Sequence, residues 1–273
     1  MNGRLVIVVC LLLAACTIPS PDQRSLKVIG TAIGAGWQSL QIETPDFTLQ
    51  SWYSPVKSHS NLTVYIEGDG LAWINSRRPS SNPTPINPVA LELALRHPQG
   101  NVAYLARPCQ FVPLDNQPNC IRDAWTDGRF SESVVKSMDS AISKLKDQFK
   151  ADRITLVGYS GGGAIAILVA ARRDDIEKII TVAGNLDHRA WTDHHILNPL
   201  IHSLNPADFA KQVSSISQLH LVGAQDKVIP SIIAESYRAR STDQKKIQIK
   251  IVDGYDHHCC WVDDWLKLIE KAN

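Results

Sequence analysis

The sequence predicts an α/β fold, a mostly parallel sheet with helices on both faces. Strand-like and helix-like segments alternate along most of the chain. The short apolar run 153–159 ends in Gly158-Tyr159-Ser160-Gly161-Gly162 and passes at once into the small apolar segment 164–171, a strand, a sharp turn and a helix with serine at the apex. Once a leader of 15 residues is set aside, the 273-residue chain leaves 258, a size suited to one sizeable domain with its own core.

The elements follow in order. Residues 47–53 alternate as an early antiparallel strand, and 62–67 form a second strand ending in Gly68-Asp69-Gly70. The Pro-, Ser- and Asn-rich segment 73–88 reads as loop. A helix follows over 88–95, with Asn87 as cap and Pro88 in its first turn. Strand 102–106 stops at Arg107-Pro108, and 131–150 is a long amphipathic helix opened by Ser131. Strands at 178–183, 219–223 and 247–252 come after the serine turn, and a helix over 261–271 closes the chain. Active groups in such sheets gather at the carboxyl ends of the strands.

Glycines at 158 and 162 free the serine turn from side-chain crowding, and the helix N-terminus behind Ser160 favours developing negative charge. A Gly-rich structural turn is the bland reading of the same residues. A serine hydroxyl needs a base, and the base an orienting group. Asp226 lies in the loop after the penultimate strand and His257 in the loop after the last. His258 competes with His257, and Asp187, one strand earlier, competes with Asp226; Asp253 and Asp256 read as turn residues. His188, His194 and His195 fall in the irregular segment from 187, whose polarity suits a small cap better than a metal centre.

The order Ser160, Asp226, His257 matches that of the α/β-hydrolase superfamily, which the chain resembles from residue 62 to its end. It resembles substrate-unassigned lipoprotein α/β-hydrolases of Gram-negative bacteria, through Tyr65-Ile66-Glu67-Gly68-Asp69-Gly70, Arg107-Pro108-Cys109-Gln110 and His258-Cys259-Cys260-Trp261. The resemblance implies an α/β-hydrolase fold with a small cap at about 187–213. It assigns Ser160 as nucleophile, His257 as base and Asp226 as its orienter. The backbone N–H groups of Gly161 and Asp69 would form the oxyanion hole. Glu67 stands where many members carry histidine, a departure that leaves the backbone donor in place.

Arg4 and the apolar run 5–15 have the proportions of a signal peptide, 1–15, and Leu13-Ala14-Ala15-Cys16 resembles the lipobox of bacterial lipoproteins. That likeness implies acylation, palmitate included, of Cys16, a lipidated tether over 16–25 and a hydrolase domain over 26–273. Thr17 after the cysteine leans toward the outer membrane, facing the periplasm. An ordinary secretory signal or a membrane anchor is the alternative. Four further cysteines, Cys109, Cys120, Cys259 and Cys260, allow three pairings in an exported protein. A bridge from Cys109 to Cys120 would staple an irregular loop, and a partner elsewhere for Cys259 or Cys260 is as good a reading as a bond between these neighbours.

The net charge of +1, with both signs interspersed, gives no footprint for nucleic acid. No motif calls for a cofactor or a metal. The expected reaction is hydrolysis of a small-molecule carboxylic ester with a small or medium acyl group, through an acyl-enzyme. Acyl transfer by the same residues, and a non-catalytic binding lipoprotein on the same fold, are the alternatives.

Overall fold

A computed structural model describes residues 18–56 and 60–270. The elements are α1 (Pro21–Gly34), β1 (Gln38–Glu43), β2 (Thr48–Tyr53), β3 (Asn61–Ile66), β4 (Trp73–Asn75), β5 (Arg78–Pro79), α2 (Val89–Leu95), β6 (Asn101–Leu105) and α3 (Glu132–Phe149). Then come β7 (Arg153–Tyr159), α4 (Gly161–Ala170), β8 (Ile176–Val182), α5 (His188–His195), β9 (Ser217–Gly223), α6 (Ser231–Ala239), β10 (Ile247–Val252) and α7 (Trp265–Glu270).

Eight strands form one sheet in the order β1-β2-β6-β3-β7-β8-β9-β10. β2 runs antiparallel to both neighbours, and all pairings from β6 to β10 are parallel. The strand period of two divides each central strand between two cores. Val64, Ile66, Ile154 and Leu156 face the layer containing α3 and α4, whereas Tyr65, Val157 and Tyr159 face the layer of α1, α2 and α7. Every residue of α4 is buried, which explains why its sequence is apolar all round rather than amphipathic. This is the α/β-hydrolase architecture that the sequence predicts.

Several boundaries differ from expectation. The tether expected over 16–25 gives way at Pro21 to α1, opened by a reciprocal cap between Ser20 and Gln23. Its Val28 and Ala32 pack into the core. The loop 73–88 contains the small hairpin β4-β5, the cap of α2 is Pro88 rather than Asn87, and α7 starts at Trp265 because 261–264 are turns. Cys109 is bonded to Cys120, and Cys259 to Cys260 rather than to a distant partner. Cys16 and the leader 1–15 lie outside the described residues. Among the described residues no helix is long and apolar enough to cross a membrane.

Candidate active site

β7 leads straight into the serine turn. Ser160 sits at φ 51°, ψ −119°, a strained conformation for a residue with a side chain. The turn is held by the Ser160 N–H donating to Val182 O at 2.9 Å and by Ser160 O accepting from Gly163 and Asn185 N–H, each at 3.0 Å. Space forces glycine on both sides. A β-carbon on Gly158 would lie 2.3 Å from Gly162 O, and one on Gly162 would lie 2.2 Å from Ile66 O. The strand end carrying Glu67 and Gly68 therefore abuts the serine, and a β-carbon on Gly68 would be 3.3 Å from Ser160 Cβ.

Two loops after β9 and β10 bring the predicted partners to the serine. His257 Nε2 is 3.1 Å from Ser160 Oγ, and His257 Nδ1 is 2.9 Å from Asp226 Oδ2. The other carboxylate oxygen of Asp226 accepts the N–H groups of Val228 and Ile229, both at 2.8 Å. With an acceptor facing Nδ1, the pattern assigns the imidazole proton to Nδ1 and leaves Nε2 free to accept from the serine hydroxyl. Asp226 and His257 are buried and Ser160 is half-buried, so water screens this chain of hydrogen bonds little.

The rival residues do other work. Asp187 caps α5 through Ala190 N–H, accepts from Asn205 and Ser236, and pairs with Arg240. Despite burial, those partners hold its carboxyl below the usual range. His258 Nδ1 lies 3.3 Å from the Tyr159 hydroxyl, which itself donates to His257 O at 3.0 Å. Asp256 is a turn residue, accepting from His258 and Cys259 N–H. His188 stacks on Phe130, and His195 Nε2 meets Val228 O at 2.9 Å.

Gly161, predicted as a backbone donor, opens α4, and Asp69 follows β3 as expected. The Asp69 side chain, which sequence reasoning passed over, fills the space beside Gly161, where a β-carbon would lie 2.0 Å from its Oδ1. Arg107 Nη1 holds Asp69 at 3.3 Å and Arg129 Nη1 holds it at 2.8 Å. Two guanidinium groups thus offset a carboxylate next to the expected oxyanion donors. Burial pulls Arg107 down to about 10, against the opposing effect of Asp69. Arg107 was visible as the stop of β6, but nothing local in the sequence joins Arg129 to it across 22 residues.

Glu67 is buried behind this loop and accepts from Gly68 N–H at 2.9 Å. Burial pushes its carboxyl up to about 7, while the amide donors of Gly68 and Ala90 oppose the rise. Gln110 donates to Gly68 O at 3.0 Å and accepts from Arg107 N–H at 3.1 Å, so the bridged loop 109–120 also steadies the strand end.

A cavity of about 950 Å³ opens over Ser160 and His257. Its walls are largely apolar and include Leu71, Pro85, Ile86, Trp191, Leu200 and Ile229. The cap is short, as expected, and supplies part of this wall through α5 and residues 197–201.

The model of the dienelactone hydrolase family matches residues 112–259, more than half of the chain. The chain belongs to the dienelactone hydrolase family. Solved structures add the fold. An α/β serine hydrolase homologue from Coxiella burnetii is 16% identical, with 86% of this chain and 94% of that one covered at a TM-score of 0.58. An esterase from Pyrococcus furiosus is 13% identical, with 89% and 92% covered at 0.60. The esterase Est1E from Butyrivibrio proteoclasticus is 12% identical, with 86% and 96% covered at 0.57. Among curated proteins no sequence matches the chain. The protein is an α/β-hydrolase of this family.

Proposed function

We propose that the protein hydrolyses carboxylic esters through Ser160, His257 and Asp226, and that it does so at the cell envelope on a lipid anchor at Cys16. The observation that carries the reading is the continuous hydrogen-bond line from Ser160 Oγ through the imidazole to Asp226, at 3.1 and 2.9 Å.

Ser160 Oγ attacks the ester carbonyl carbon while its proton moves to His257 Nε2. The carbonyl π pair moves onto oxygen, where the N–H groups of Gly161 and Asp69 receive it. Asp226 stabilises the imidazolium that forms. Collapse of the intermediate breaks the bond to the alcohol oxygen, which takes the proton from Nε2. A water then gives a proton to Nε2 and attacks the acyl-serine, releasing the carboxylic acid and restoring the hydroxyl.

The largely apolar walls favour an apolar acyl group, and a cavity of about 950 Å³ has room for the small or medium one expected from sequence. The Cys16 anchor rests on the sequence 13–16 that precedes the described chain. Several acyl chains there would hold the protein permanently, at about 0.8 kcal/mol per buried CH₂. The test is turnover of nitrophenyl esters of increasing chain length by wild type and Ser160→Ala. Turnover lost in Ser160→Ala supports the reading; equal turnover in both proteins, or none in either, contradicts it.

A further inference from the structure

We infer that the mouth of this cavity lies against a lipid bilayer surface and takes its ester from that surface. The inference rests on the esterase and lipid-anchor readings and extends them to the source of the substrate.

The rim is the first observation. Trp73, Leu197, Ile201 and Val228 line the cavity and are nonetheless open to solvent, Ile201 at 76%. Ile196 beside them is 93% exposed, and Ile232, in the first turn of α6 just after the wall residues Val228 and Ile229, is 52% exposed. Scattered apolar side chains on a surface are ordinary; a group of them around one opening marks an interaction surface.

The backbone adds a second observation. Ile196 ends α5 at φ 55°, in the left-handed region. Helices usually take glycine or asparagine there, and a β-branched residue is an outlier. Hydrogen bonds from Ile196 N–H to Asp193 O and from Leu197 N–H to Thr192 O hold this turn, which presents the Ile196 side chain to solvent beside the wall residue Leu197.

The entry of the chain identifies the occupant. Arg24 of α1 is buried and donates to Thr84 O and to Ser20 O. Thr84 directly precedes Pro85, Ile86 and Asn87, all in the cavity wall. The chain therefore joins the fold at Ser20, beside the cavity. From Cys16 to Ser20 is four residue steps, at most about 14 Å when extended. A lipidated Cys16 would hold the membrane within that distance of Ser20, which the Arg24 side chain links to Thr84 next to the cavity wall. α1 turns Leu26, Ile29 and Ile33 outward on the same short entry segment.

The test uses the full chain, in its lipidated form, in vesicles of phosphatidylethanolamine and phosphatidylglycerol whose acyl chains are brominated. A fluorescent label is placed at Ile196→Cys or at Gln244→Cys, the latter exposed at the amino end of β10, opposite the cavity. The bilayer bromines are expected to quench the label at 196 strongly and the label at 244 hardly at all. Equal quenching overturns the inference, as does a label at 196 shielded from bromine by a second copy of the chain or by another protein. In parallel, the double variant Ile196→Asn, Ile232→Ser is expected to turn over a long-chain ester embedded in the vesicles about tenfold more slowly, with turnover of a soluble butyrate ester unchanged. Equal loss on both esters contradicts the inference. Absent Ser160-dependent turnover of the butyrate ester would instead defeat the esterase reading, while the quenching still reports the docking.

Discussion

At the scale of single residues, the site depends on groups whose worth lies in placement rather than in unusual chemistry. Asp226 has one oxygen committed to two backbone amides and one to His257. Asp226→Asn keeps the volume but offers an amide that favours the wrong imidazole tautomer. Its kcat for ester hydrolysis is expected to fall on the order of a thousandfold or more, with KM little changed. Steady-state kinetics checks this. Glu67 sets a different expectation. Its carboxyl is raised from 4.5 to about 7 by burial. A group raised on folding contributes stability that is complete below its unfolded pKa and is lost as pH rises through the folded value. Glu67→Gln carries a permanently neutral mimic. Wild type is therefore expected to lose about 3 kcal/mol relative to the variant between pH 4.5 and 8, measured by urea unfolding at both ends. A stability difference that does not change with pH would contradict the account.

At the scale of elements, the serine turn works because two backbones nearly touch. Gly162→Ala places a methyl 2.2 Å from Ile66 O, and both atoms belong to rigid strand and helix termini. The expected cost is about 1–3 kcal/mol or more, visible in thermal unfolding, together with loss of esterase activity. The bond between Cys109 and Cys120 closes a short loop, and replacing both with serine is expected to cost about 3 kcal/mol, or roughly 6–12 °C in Tm. Because Gln110 in that loop holds Gly68 O, kcat is expected to fall as well. The elements legible in the sequence were those whose apolar period matched their burial: the strands from β2 to β10 in the main sheet and the amphipathic α3. Those missed had weak patterns. β1 is an edge strand whose alternation is carried by Leu40 and Ile42 alone, with only Ile42 fully buried, too short a pattern to stand out. α1 is opened by the Ser20 and Gln23 cap, but the two prolines and mixed polar character of the segment 16–25 read as tether. The three residues of the hydrogen-bonded line were legible because each follows a strand at the same edge of the sheet. Asp69, Arg107 and Arg129 form a charge cluster that only the folded chain brings together.

At the scale of the whole molecule, the first helix joins the chain's entry to the wall of the cavity. Arg24 is a buried cation whose donors go to backbone carbonyls rather than to a carboxylate in the contacts above, and burial lowers its pKa. Arg24→Ala would leave the carbonyl of Thr84 without that donor and free the wall at Pro85 and Ile86. KM for esters is expected to rise severalfold with a smaller change in kcat, read from the same kinetic series. An equal fall in kcat with KM unchanged would place the role of Arg24 elsewhere.

The central claim is that Ser160 is a nucleophile activated by His257. The most direct measurement is reaction of the folded chain with a fluorophosphonate, followed by mass mapping. The account predicts one adduct per chain, on Ser160, absent in Ser160→Ala and strongly slowed in His257→Ala. A folded chain that forms no adduct, or forms it on another residue, would contradict it.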